Sequence, residues 1–509
     1  MATALRLFER ARRFQDRTAL VTPSGSFTFG WLLDAARAGA SALLAGRRDL
    51  QEARVAFLTG RDESYVATQW AIWWAGGVAV PLCDSHAPGE IEYVLRDAGV
   101  DVAVASPQLA ARLEPVASRV GVPLLTTTQL LDALPNAALP FWDAVDEPAS
   151  RRAMMIYTSG TTGRPKGVVT THANLEAQCE SLVEAWAWTE HDVILQVLPL
   201  HHVHGIVNVV LCALWSGAQC RMLPRFDAAA CWEAIERGGL TLFMAVPTIY
   251  TKLIAAYEGM DDARRERVSS ACRAMRLMVS GSAALPVRVL ERWEQLSGHV
   301  LLERYGMTEI GMALGNPLHG ARRPGYVGVP MPGMHVRIVD EAGEPSAPGQ
   351  PGEIEVRGPQ VFREYWGRPE ATRESFRDGW FRTGDVAVEE RGYVRILGRR
   401  SVDIIKSGGF KLSALEIEEV IRDHPSVREC AVVGLDDPEW GERVCAAVVL
   451  RNGEHLELAG LRAFARDALA PYKLPTRLAV LPELPRNALG KVLKPALRET
   501  LAADYFSGR

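Results

Sequence analysis

Several classes of protein are excluded by what the 509-residue sequence lacks. It contains no C-x-x-C pair and no cysteine spacing typical of a metal site. No apolar stretch approaches the ~20 residues that a bilayer span requires. The nearest candidate, residues 69–82, is interrupted by Gly76-Gly77, which favours a buried core segment. The formal net charge is only −4 without a long run of either sign, which argues against nucleic acid as the main partner.

The cysteines and the N-terminus indicate a reducing compartment. The eight cysteines are scattered, mostly within apolar runs, where cysteine acts as a small hydrophobe. The first 20 residues lack the apolar core of a secretion signal, and Glu9 and Asp16 argue against a transit peptide. We therefore expect a cytoplasmic protein with no membrane span, although an organellar presequence trimmed from the sequence would leave no trace.

The chain is too long for one hydrophobic core, so we expect at least two domains. From about residue 27 to residue 302, short β-rich runs alternate with helical patterns, which indicates parallel sheets covered by helices. The predicted strands are Val55–Leu58, Val102–Ala105, Met154–Tyr157, Val193–Leu198, Leu240–Ala245, Arg276–Val279 and Val300–Leu302.

Beyond Pro324 the pattern changes, because the predicted strands are separated by glycine- and proline-containing turns instead of helices. These strands are Val336–Val339, Glu353–Val356 and Tyr393–Leu397. They predict a small antiparallel sheet or a β-barrel-like subdomain. We therefore predict an α/β protein, with a large N-terminal domain of residues 1–399 and a small, mobile α+β C-terminal domain of residues 400–509.

The segment YTSGTTGRPKG at residues 157–167 carries the strongest functional signal. It follows an apolar run, precedes a helical pattern, and combines three glycines with four Ser or Thr hydroxyls and Lys166. Such a loop can wrap a polyphosphate, although its spacing is not that of a Walker loop. A flexible linker would need neither the preceding strand nor the Pro-Lys-Gly end. The expected nucleotide ligands are Thr158, Ser159, Gly160, Thr161, Thr162, Gly163 and Lys166.

This segment resembles the phosphate loop of the acyl-adenylate-forming superfamily, which includes acyl-CoA synthetases, firefly luciferase and nonribosomal peptide adenylation domains. Motifs similar to those of the superfamily follow in the same order at residues 198–205, 280–283, 303–309, 382–385, 398–399, 403–409 and 485–491. The resemblance implies that ATP and a carboxylate form an acyl-adenylate with release of pyrophosphate. The acyl group would then pass to the thiol of coenzyme A.

Adenylation forces a carboxylate against the α-phosphate, so Mg²⁺ and cationic side chains must offset the repulsion. By the resemblance, Glu309 is the magnesium-associated glutamate, Thr308 contacts the α-phosphate and Tyr305 stacks on adenine. The turn beside the adenine and the acyl pocket corresponds to Ser280, Gly281 and Ser282.

The resemblance also assigns residues near the C-terminus. Asp385 would accept hydrogen bonds from the ribose hydroxyls, because a carboxylate is acceptor-only. Arg399 matches the arginine near the ribose and phosphates, although counting back from Gly408 selects Arg400 instead. Lys491 matches the lysine that bridges the carboxylate and the α-phosphate during adenylation.

Similar enzymes rotate the C-terminal domain between the two half-reactions, so we expect a pivot near residues 400–403. The usual polar pivot residue aligns with Val402, which leaves the hinge position open. Gly408 and Gly409 would then allow close approach of the pantetheine chain of coenzyme A.

The run HHVH at residues 201–204 offers imidazoles without a spaced fourth ligand for zinc. We therefore predict that His202 lines the acyl pocket and that the cluster of His201, His202 and His204 does not bind a metal.

Among the subfamilies, malonate–CoA ligases are the most similar, at residues 246–252, 303–312, 325–333 and 401–411. A dicarboxylate brings a second negative charge, which is costly to bury without a cation. Lys252 and Arg304 match the malonate-binding positions, with lysine where several bacterial members have arginine. Met312 and Val203 would set a pocket depth that admits malonate or methylmalonate but no long fatty tail.

Three alternatives remain open at this point. A CoA ligase for a short, branched or aromatic monocarboxylate would turn Lys252 and Arg304 away from the pocket. A stand-alone adenylation enzyme would load a carrier protein, although no carrier domain is attached. A nucleotide-binding regulator that lost catalysis should show broken motifs, yet Lys166, Glu309 and Lys491 are all present.

Overall fold

The computed structural model describes residues 5–132, 148–158, 165–408, 410–486 and 492–507. The chain divides into two compact units. The first unit consists of Met1–Pro324, Gly328–His335 and Val356–Phe381, and the second of Gly325–Val327, Val336–Glu355 and Arg382–Arg509. The domain boundary between residues 399 and 400 stays a prediction.

One sheet of the first unit has seven strands. Their order is Glu364–Tyr365, Lys166–Thr171, Arg152–Thr158, Val78–Pro81, Arg54–Leu58, Val102–Ala105 and Leu124–Thr126. The last five strands run parallel, and the first two are antiparallel to their neighbours. The central strands are almost entirely buried because helices cover both faces of a parallel sheet.

A second sheet of the first unit has nine strands. Their order is Val329–Pro330, Gly311–Gly315, Leu302–Met307, Leu277–Gly281, Leu242–Ala245, Val193–Gln196, Gln219–Met222, Thr18–Thr22 and Gly25–Thr28. The middle of this sheet is parallel, from Leu302–Met307 to Thr18–Thr22. Both sheets agree with the predicted α/β class.

Helices connect the parallel strands. The α-helices of the first unit are Arg6–Arg13, Phe29–Leu44, Glu63–Trp74, Pro88–Ala98, Pro107–Val120, Thr127–Leu131, His172–Ala185, Cys212–Ser216, Ala228–Glu236, Pro247–Glu258, Asp262–Arg273, Val287–Ser297 and Pro369–Glu374. A 3₁₀-helix spans Pro148–Ser150, and a π-helix spans His204–Leu211. Among the helices of the described residues, none combines the length and apolar character of a bilayer span.

Two sequence-based predictions were wrong in this unit. The segment after the phosphate loop is a strand, Lys166–Thr171, because its β-branched residues pair with Arg152–Thr158. The helix begins only at His172, where Thr171 caps it. The strand predicted at Val300–Leu302 runs instead over Leu302–Met307. It therefore includes most of the motif at residues 303–309, which was expected to follow the strand.

A five-stranded sheet contains the strands predicted beyond Pro324. Its order is His335–Val339, Gly352–Arg357, Trp380–Glu390 and Phe376–Arg377, with Tyr393–Arg399 paired to Trp380–Glu390. Trp380–Glu390 is antiparallel to both Phe376–Arg377 and Tyr393–Arg399. The three predicted strands are therefore present, each with slightly longer bounds.

A second five-stranded sheet forms the C-terminal part of the second unit. Its order is Phe410–Ser413, Ile404–Ser407, Gly441–Leu450 and Val427–Asp437, and Arg477–Val480 pairs in parallel with Gly441–Leu450. Its helices are Ala414–Arg422, Leu458–Ala465, the 3₁₀-helix Pro471–Lys473, and Lys494–Ser507. The predicted α+β pattern of this region is present.

A buried ion cluster holds this C-terminal region together. Lys494 Nζ lies 2.5 Å from Asp403 Oδ1 and 2.6 Å from Glu418 Oε1. Asp403 Oδ2 also accepts a hydrogen bond from the backbone N–H of Arg399, at 3.0 Å. Burial lowers the pKa of Lys494, but the two carboxylates outweigh it and the net shift is upward. The cluster thus ties the C-terminal helix to the segment between Arg399 and Asp403.

We predict that Lys494→Met destabilises the second unit by roughly 3 kcal/mol, because Asp403 loses its cation and the buried Glu418 keeps only its pair with Arg422. The measurement is denaturant unfolding followed by hydrogen exchange in the strand Val427–Asp437. The control is Lys473→Met, since the Lys473–Glu416 pair is just as short at 2.6 Å but its side chains are 22% and 36% exposed. That pair should contribute less than about 1 kcal/mol. Equal destabilisation by both substitutions would contradict the prediction.

Candidate functional site

The two ends of the predicted phosphate loop lie on paired antiparallel strands, in which Thr158 and Lys166 form the last residue pair. Tyr93 Oη donates a hydrogen bond to the carbonyl of Pro165 at 2.7 Å, which connects the start of the second strand to the helix Pro88–Ala98. The other predicted ligands lie outside the described residues; they are Ser159, Gly160, Thr161, Thr162 and Gly163.

Two predicted catalytic residues converge on one tyrosine. Lys166 Nζ lies 4.9 Å from the centroid of the Tyr365 ring, a cation–π distance. Tyr365 Oη donates a hydrogen bond to Glu309 Oε1 at 2.9 Å. Glu309 is buried, with 6% of its surface exposed. Tyr365 therefore connects the lysine of the phosphate loop to the glutamate that was predicted from a distant motif.

Glu309 and Thr308 occupy the turn of a second hairpin, between Leu302–Met307 and Gly311–Gly315. The backbone carbonyl of Glu309 accepts a hydrogen bond from the N–H of Phe362 at 2.7 Å. This bond fixes the turn against the segment that leads to Tyr365.

Tyr305 and Met312 lie on the two strands of the same hairpin. Tyr305 is half-buried and pairs with Leu314, whereas Met312 is buried and pairs with Gly306. A Cβ atom on Gly306 would stand 2.5 Å from Met312 Cε, so the methionine side chain covers the glycine. The strand therefore needs glycine at this position to accommodate Met312.

Arg304 belongs to a buried polar cluster. It is only 2% exposed, and its two terminal nitrogens donate to Ser282 Oγ at 3.4 and 3.3 Å. Ser282 Oγ also lies 3.2 Å from Nδ1 of His204. Ser282 has a left-handed backbone (φ +71°), which is uncommon for a residue other than glycine. The strained turn directs the serine hydroxyl between the guanidinium and the imidazole.

Gly281 is required for this arrangement. A Cβ atom there would stand 2.7 Å from Arg304 Cζ. The guanidinium therefore lies directly against the backbone of the neighbouring parallel strand, in register with Gly281.

Two atoms of the cluster, Arg304 Nε and His204 Nε2, have no hydrogen-bond partner among the described residues. Buried polar atoms without partners also occur at Ser280, two residues before Ser282, and at Asn208, four residues after His204. No carboxylate of the described chain lies within ion-pair distance of Arg304. Buried polar groups normally have partners, so this concentration of unsatisfied atoms indicates a binding site.

Burial controls the protonation of the cluster. Burial lowers the pKa of Arg304 to about 9, and the nearby Glu303 partly opposes the shift. Arg304 remains cationic at neutral pH. Burial, with the charge of Arg304, holds the pKa of His204 well below its usual value, so this imidazole is neutral.

The turn that precedes the π-helix holds His202 and Val203, both half-buried. Burial, with a contribution from His86, lowers the pKa of His202 to about 4, so its ring is neutral at physiological pH. The turn leads directly into His204, which connects the predicted pocket wall to the arginine cluster.

Lys252 differs from the buried Arg304 in its exposure to solvent. It is exposed on the helix Pro247–Glu258, and its Nζ is 5.9 Å from the centroid of the Phe226 ring.

In the second unit, Asp385 and Arg399 are cross-strand partners. Arg399 donates to both carboxylate oxygens of Asp385, at 2.9 and 3.2 Å. Arg400 turns instead to Glu353, at 3.3 Å. Of the two candidate arginines, Arg399 is therefore the one that pairs with Asp385, the predicted ribose ligand.

Gly408 has a left-handed backbone (φ +56°) between the strands Ile404–Ser407 and Phe410–Ser413. A Cβ atom there would stand 2.9 Å from the Trp440 ring, so glycine is required. Gly409 and Lys491 lie outside the described residues.

Comparison with known proteins identifies the family. Residues 7–366 match the family described as AMP-binding enzyme, and residues 416–491 match the AMP-binding enzyme C-terminal domain. The chain belongs to the family of AMP-binding enzymes. The predicted resemblance to the acyl-adenylate-forming superfamily is thereby confirmed.

Individual AMP-binding enzymes are similar over almost the whole chain. Malonate–CoA ligase ACSF3, mitochondrial, from Mus musculus is 48% identical over 99% of this chain and 91% of its own length. Malonate–CoA ligase from Arabidopsis thaliana is 38% identical over 97% of this chain and 88% of its own length. The crystal structure of ATP-bound MatB from Rhodopseudomonas palustris matches with a TM-score of 0.88 at 36% identity, covering 99% of this chain and 100% of that one. These matches confirm the predicted fold class.

Two residues that contact predicted site residues were not assigned from the sequence. His204, which lies beside Ser282, stands within a motif that was noticed, but only its neighbours His202 and Val203 were assigned. Tyr365, which donates to Glu309, has no spacing pattern that marks it in the sequence. Its position becomes informative only once the fold brings it beside Glu309.

We predict that Gly281→Ala destabilises the protein by about 1–3 kcal/mol, because the added methyl group overlaps the Arg304 guanidinium. Thermal unfolding measures the effect. Gly259→Ala is the matched control, since its Cβ would meet only Ala256 O at 3.6 Å, an ordinary contact. The control should leave stability unchanged or raise it by up to about 1 kcal/mol. A tolerated Gly281→Ala would show that the guanidinium does not lie against this strand.

Proposed function

We propose that this AMP-binding enzyme is an ATP-dependent malonate–CoA ligase. Malonate attacks the α-phosphorus of ATP, which forms malonyl-AMP and releases pyrophosphate. The thiol of coenzyme A then attacks the acyl carbon, which forms malonyl-CoA and releases AMP. The buried Arg304 cluster carries the proposal, because it is a cationic site without a carboxylate partner in a chain similar to malonate–CoA ligases.

Arg304 is proposed to bind the carboxylate of malonate that does not react. A dicarboxylate buried alone is costly, and so is a buried arginine without an anion. Bringing the two together offsets both penalties at once. Ser282 and His204 hold the guanidinium from one side, so its unsatisfied Nε remains available for the substrate. Methylmalonate adds one methyl group and fits the same charge arrangement.

The nucleotide is proposed to bind at the two hairpin turns of the first unit. Lys166 would offset phosphate charge, Thr308 would contact the α-phosphate, and Tyr305 would stack on adenine. Glu309 supplies a buried carboxylate held in place by Tyr365, and Mg²⁺ prefers such oxygen ligands. The residues therefore fit a magnesium site formed by Glu309 and the ATP phosphates. When bound, Mg²⁺ would neutralise phosphate charge and help pyrophosphate to leave.

Residues of the second unit complete the proposal. Asp385, oriented by Arg399, would accept hydrogen bonds from the ribose hydroxyls. Lys491 is proposed as the adenylation lysine, and Gly408 and Gly409 as the contact for the pantetheine chain. Alternation of the C-terminal domain between the half-reactions stays a prediction, as does a cytoplasmic location; the mouse relative is named as mitochondrial.

The function is tested by pyrophosphate release with ATP and Mg²⁺ across malonate, methylmalonate, succinate, acetate, butyrate, benzoate and octanoate. We expect activity with malonate and methylmalonate, and a malonyl-CoA product when coenzyme A is added. A preference for butyrate or benzoate would assign the chain to the monocarboxylate ligases instead. Formation of the adenylate without transfer to coenzyme A would favour an enzyme that loads a carrier protein.

The cation that recognises malonate is tested with Arg304→Met. We expect kcat/KM for malonate to fall roughly a hundredfold or more, because truncating one partner of a buried charge pair costs about 2–5 kcal/mol. Activity with butyrate should change much less. Lys252→Met is the comparison, because this exposed lysine is the other sequence candidate, and we expect less than about a threefold effect. A larger loss for Lys252→Met than for Arg304→Met would reverse the assignment.

The role of Lys491 is tested by separating the half-reactions. Lys491→Ala should abolish formation of malonyl-AMP, because no cation then bridges the attacking carboxylate and the α-phosphate. Thioester formation from supplied malonyl-AMP should continue at close to the normal rate. Equal loss in both half-reactions would contradict separate roles for this residue.

A further inference from the structure

A mixed group of metal-binding side chains lies in the first unit outside the residues proposed for ATP and magnesium. The Sγ of Cys83, a carboxylate oxygen of Asp84 and a ring nitrogen of His201 all lie within 4.8 Å of one another. Cys83 is buried, His201 is half-buried and Asp84 is exposed, so the group opens toward solvent at one edge. In the sequence, His201 lies more than a hundred positions from the adjacent Cys83 and Asp84.

The fold explains why they meet. Cys83 and Asp84 follow the parallel strand Val78–Pro81, and His201 follows the parallel strand Val193–Gln196. Both segments therefore leave a sheet at the carboxyl end of a strand, where side chains of different connections gather. The two strands belong to the two large sheets of the unit, so the group joins connections from both.

The neighbouring side chains leave this group available for a ligand. The ring nitrogens of His201 make no hydrogen bond to any described residue. His86 adds a further imidazole, whose ring centroid lies 6.2 Å from that of His201, and its buried Nδ1 also has no hydrogen-bond partner in the described chain. His86 also forms a side-chain hydrogen bond with Cys83, so one thiol and two imidazoles lie together while the buried Nδ1 of His86 has no partner in the described chain.

The geometry points to a binding site for a zinc-like divalent metal ion formed by Cys83, Asp84 and His201. Sulfur, nitrogen and oxygen donors together suit zinc, whereas Mg²⁺ prefers oxygen ligands alone. Donor atoms around a tetrahedral zinc ion stand roughly 3.3–3.8 Å apart, so modest side-chain rotations close the present spacing. Three protein ligands leave a fourth position for water or His86.

The existing contacts of the group are weak enough to be replaced. Arg61 lies 3.7 Å from Asp84, a long ion pair on a carboxylate that is 48% exposed. Cys83 Sγ lies 3.0 Å from Ser85 Oγ. A divalent ion bound by one thiolate and one carboxylate gives a neutral site, so the Arg61 charge does not oppose binding.

Metal binding would also restrain the turn at residues 201–204, whose residues His202 and Val203 are proposed to line the acid pocket. The His201 ring lies 4.2 Å from the His202 ring, and the same turn continues into Val203 and His204. A metal ion on His201 would restrain this turn. We expect inhibition of acid activation by micromolar zinc, a consequence that rests on the proposed function, whereas binding itself does not.

The test is titration of the full-length, reduced protein with Co²⁺, whose bond to a thiolate gives a near-ultraviolet charge-transfer band. We expect one equivalent of Co²⁺ to produce the band and Zn²⁺ to bleach it. Cys83→Ser should abolish the band, and Asp84→Asn should weaken Co²⁺ binding at least about tenfold while the exposed position preserves the fold. Cys445→Ser is the control, since this thiol is equally buried but lies in the other unit.

Several outcomes would overturn the site. They are the absence of a band in the unmodified protein, a band that persists in Cys83→Ser, unchanged affinity in Asp84→Asn, or displacement of Co²⁺ by an equal concentration of Mg²⁺. A normal Co²⁺ band in a protein that activates no malonate would reject the proposed function while leaving the metal site intact. A protein that activates malonate but gives no Co²⁺ band would reject the metal site and leave the proposed function intact.

Discussion

The structure depends most on one buried cation, Arg304, that has no ion pair with a carboxylate of the described residues. Arg304 lies on the strand Leu302–Met307 of the nine-stranded sheet, almost without exposure, and within the described part of the chain its terminal nitrogens donate only to a serine hydroxyl. A folded protein tolerates such a group when a ligand completes its surroundings or when other interactions offset the cost. The surrounding glycine, left-handed serine and neutral histidine are all arranged so that the guanidinium occupies one position. This constraint connects the fold to the choice of acid.

The nucleotide side of the first unit uses a different principle. Here a single tyrosine connects residues of two hairpins. The ammonium group of Lys166 lies over the ring of Tyr365, and the Tyr365 hydroxyl donates a hydrogen bond to Glu309. Tyr365 therefore contacts both residues that are proposed to offset phosphate charge. In the proposed function, the charge of the acid is thus bound on the sheet by Arg304, and the charge of the phosphates by Lys166 and the residues of the turns.

The turn at residues 201–204 belongs to both the acid site and the proposed metal site. His202 and Val203 are proposed to line the acyl pocket, His204 lies within hydrogen-bond distance of Ser282, and His201 lies near Cys83. These four successive residues have different neighbours because the chain turns here, where the π-helix His204–Leu211 begins. Irregular helical segments of this kind often occur at functional sites.

Sequence alone was sufficient for the α/β class, the order of the motifs and the family, and it proposed Arg304 and Glu309 as site residues. Apolar periodicity and loop chemistry are local properties, so they can be read without coordinates. The tertiary structure was needed for the partners of those residues: Tyr365 for Glu309, Ser282 and His204 for Arg304, and Cys83 for His201. It also showed that Lys166–Thr171 is a strand, because pairing with a neighbouring strand, and not local propensity, decides that segment. Contacts between residues a hundred positions apart depend on sheet order and register, and no local pattern in this sequence encodes them.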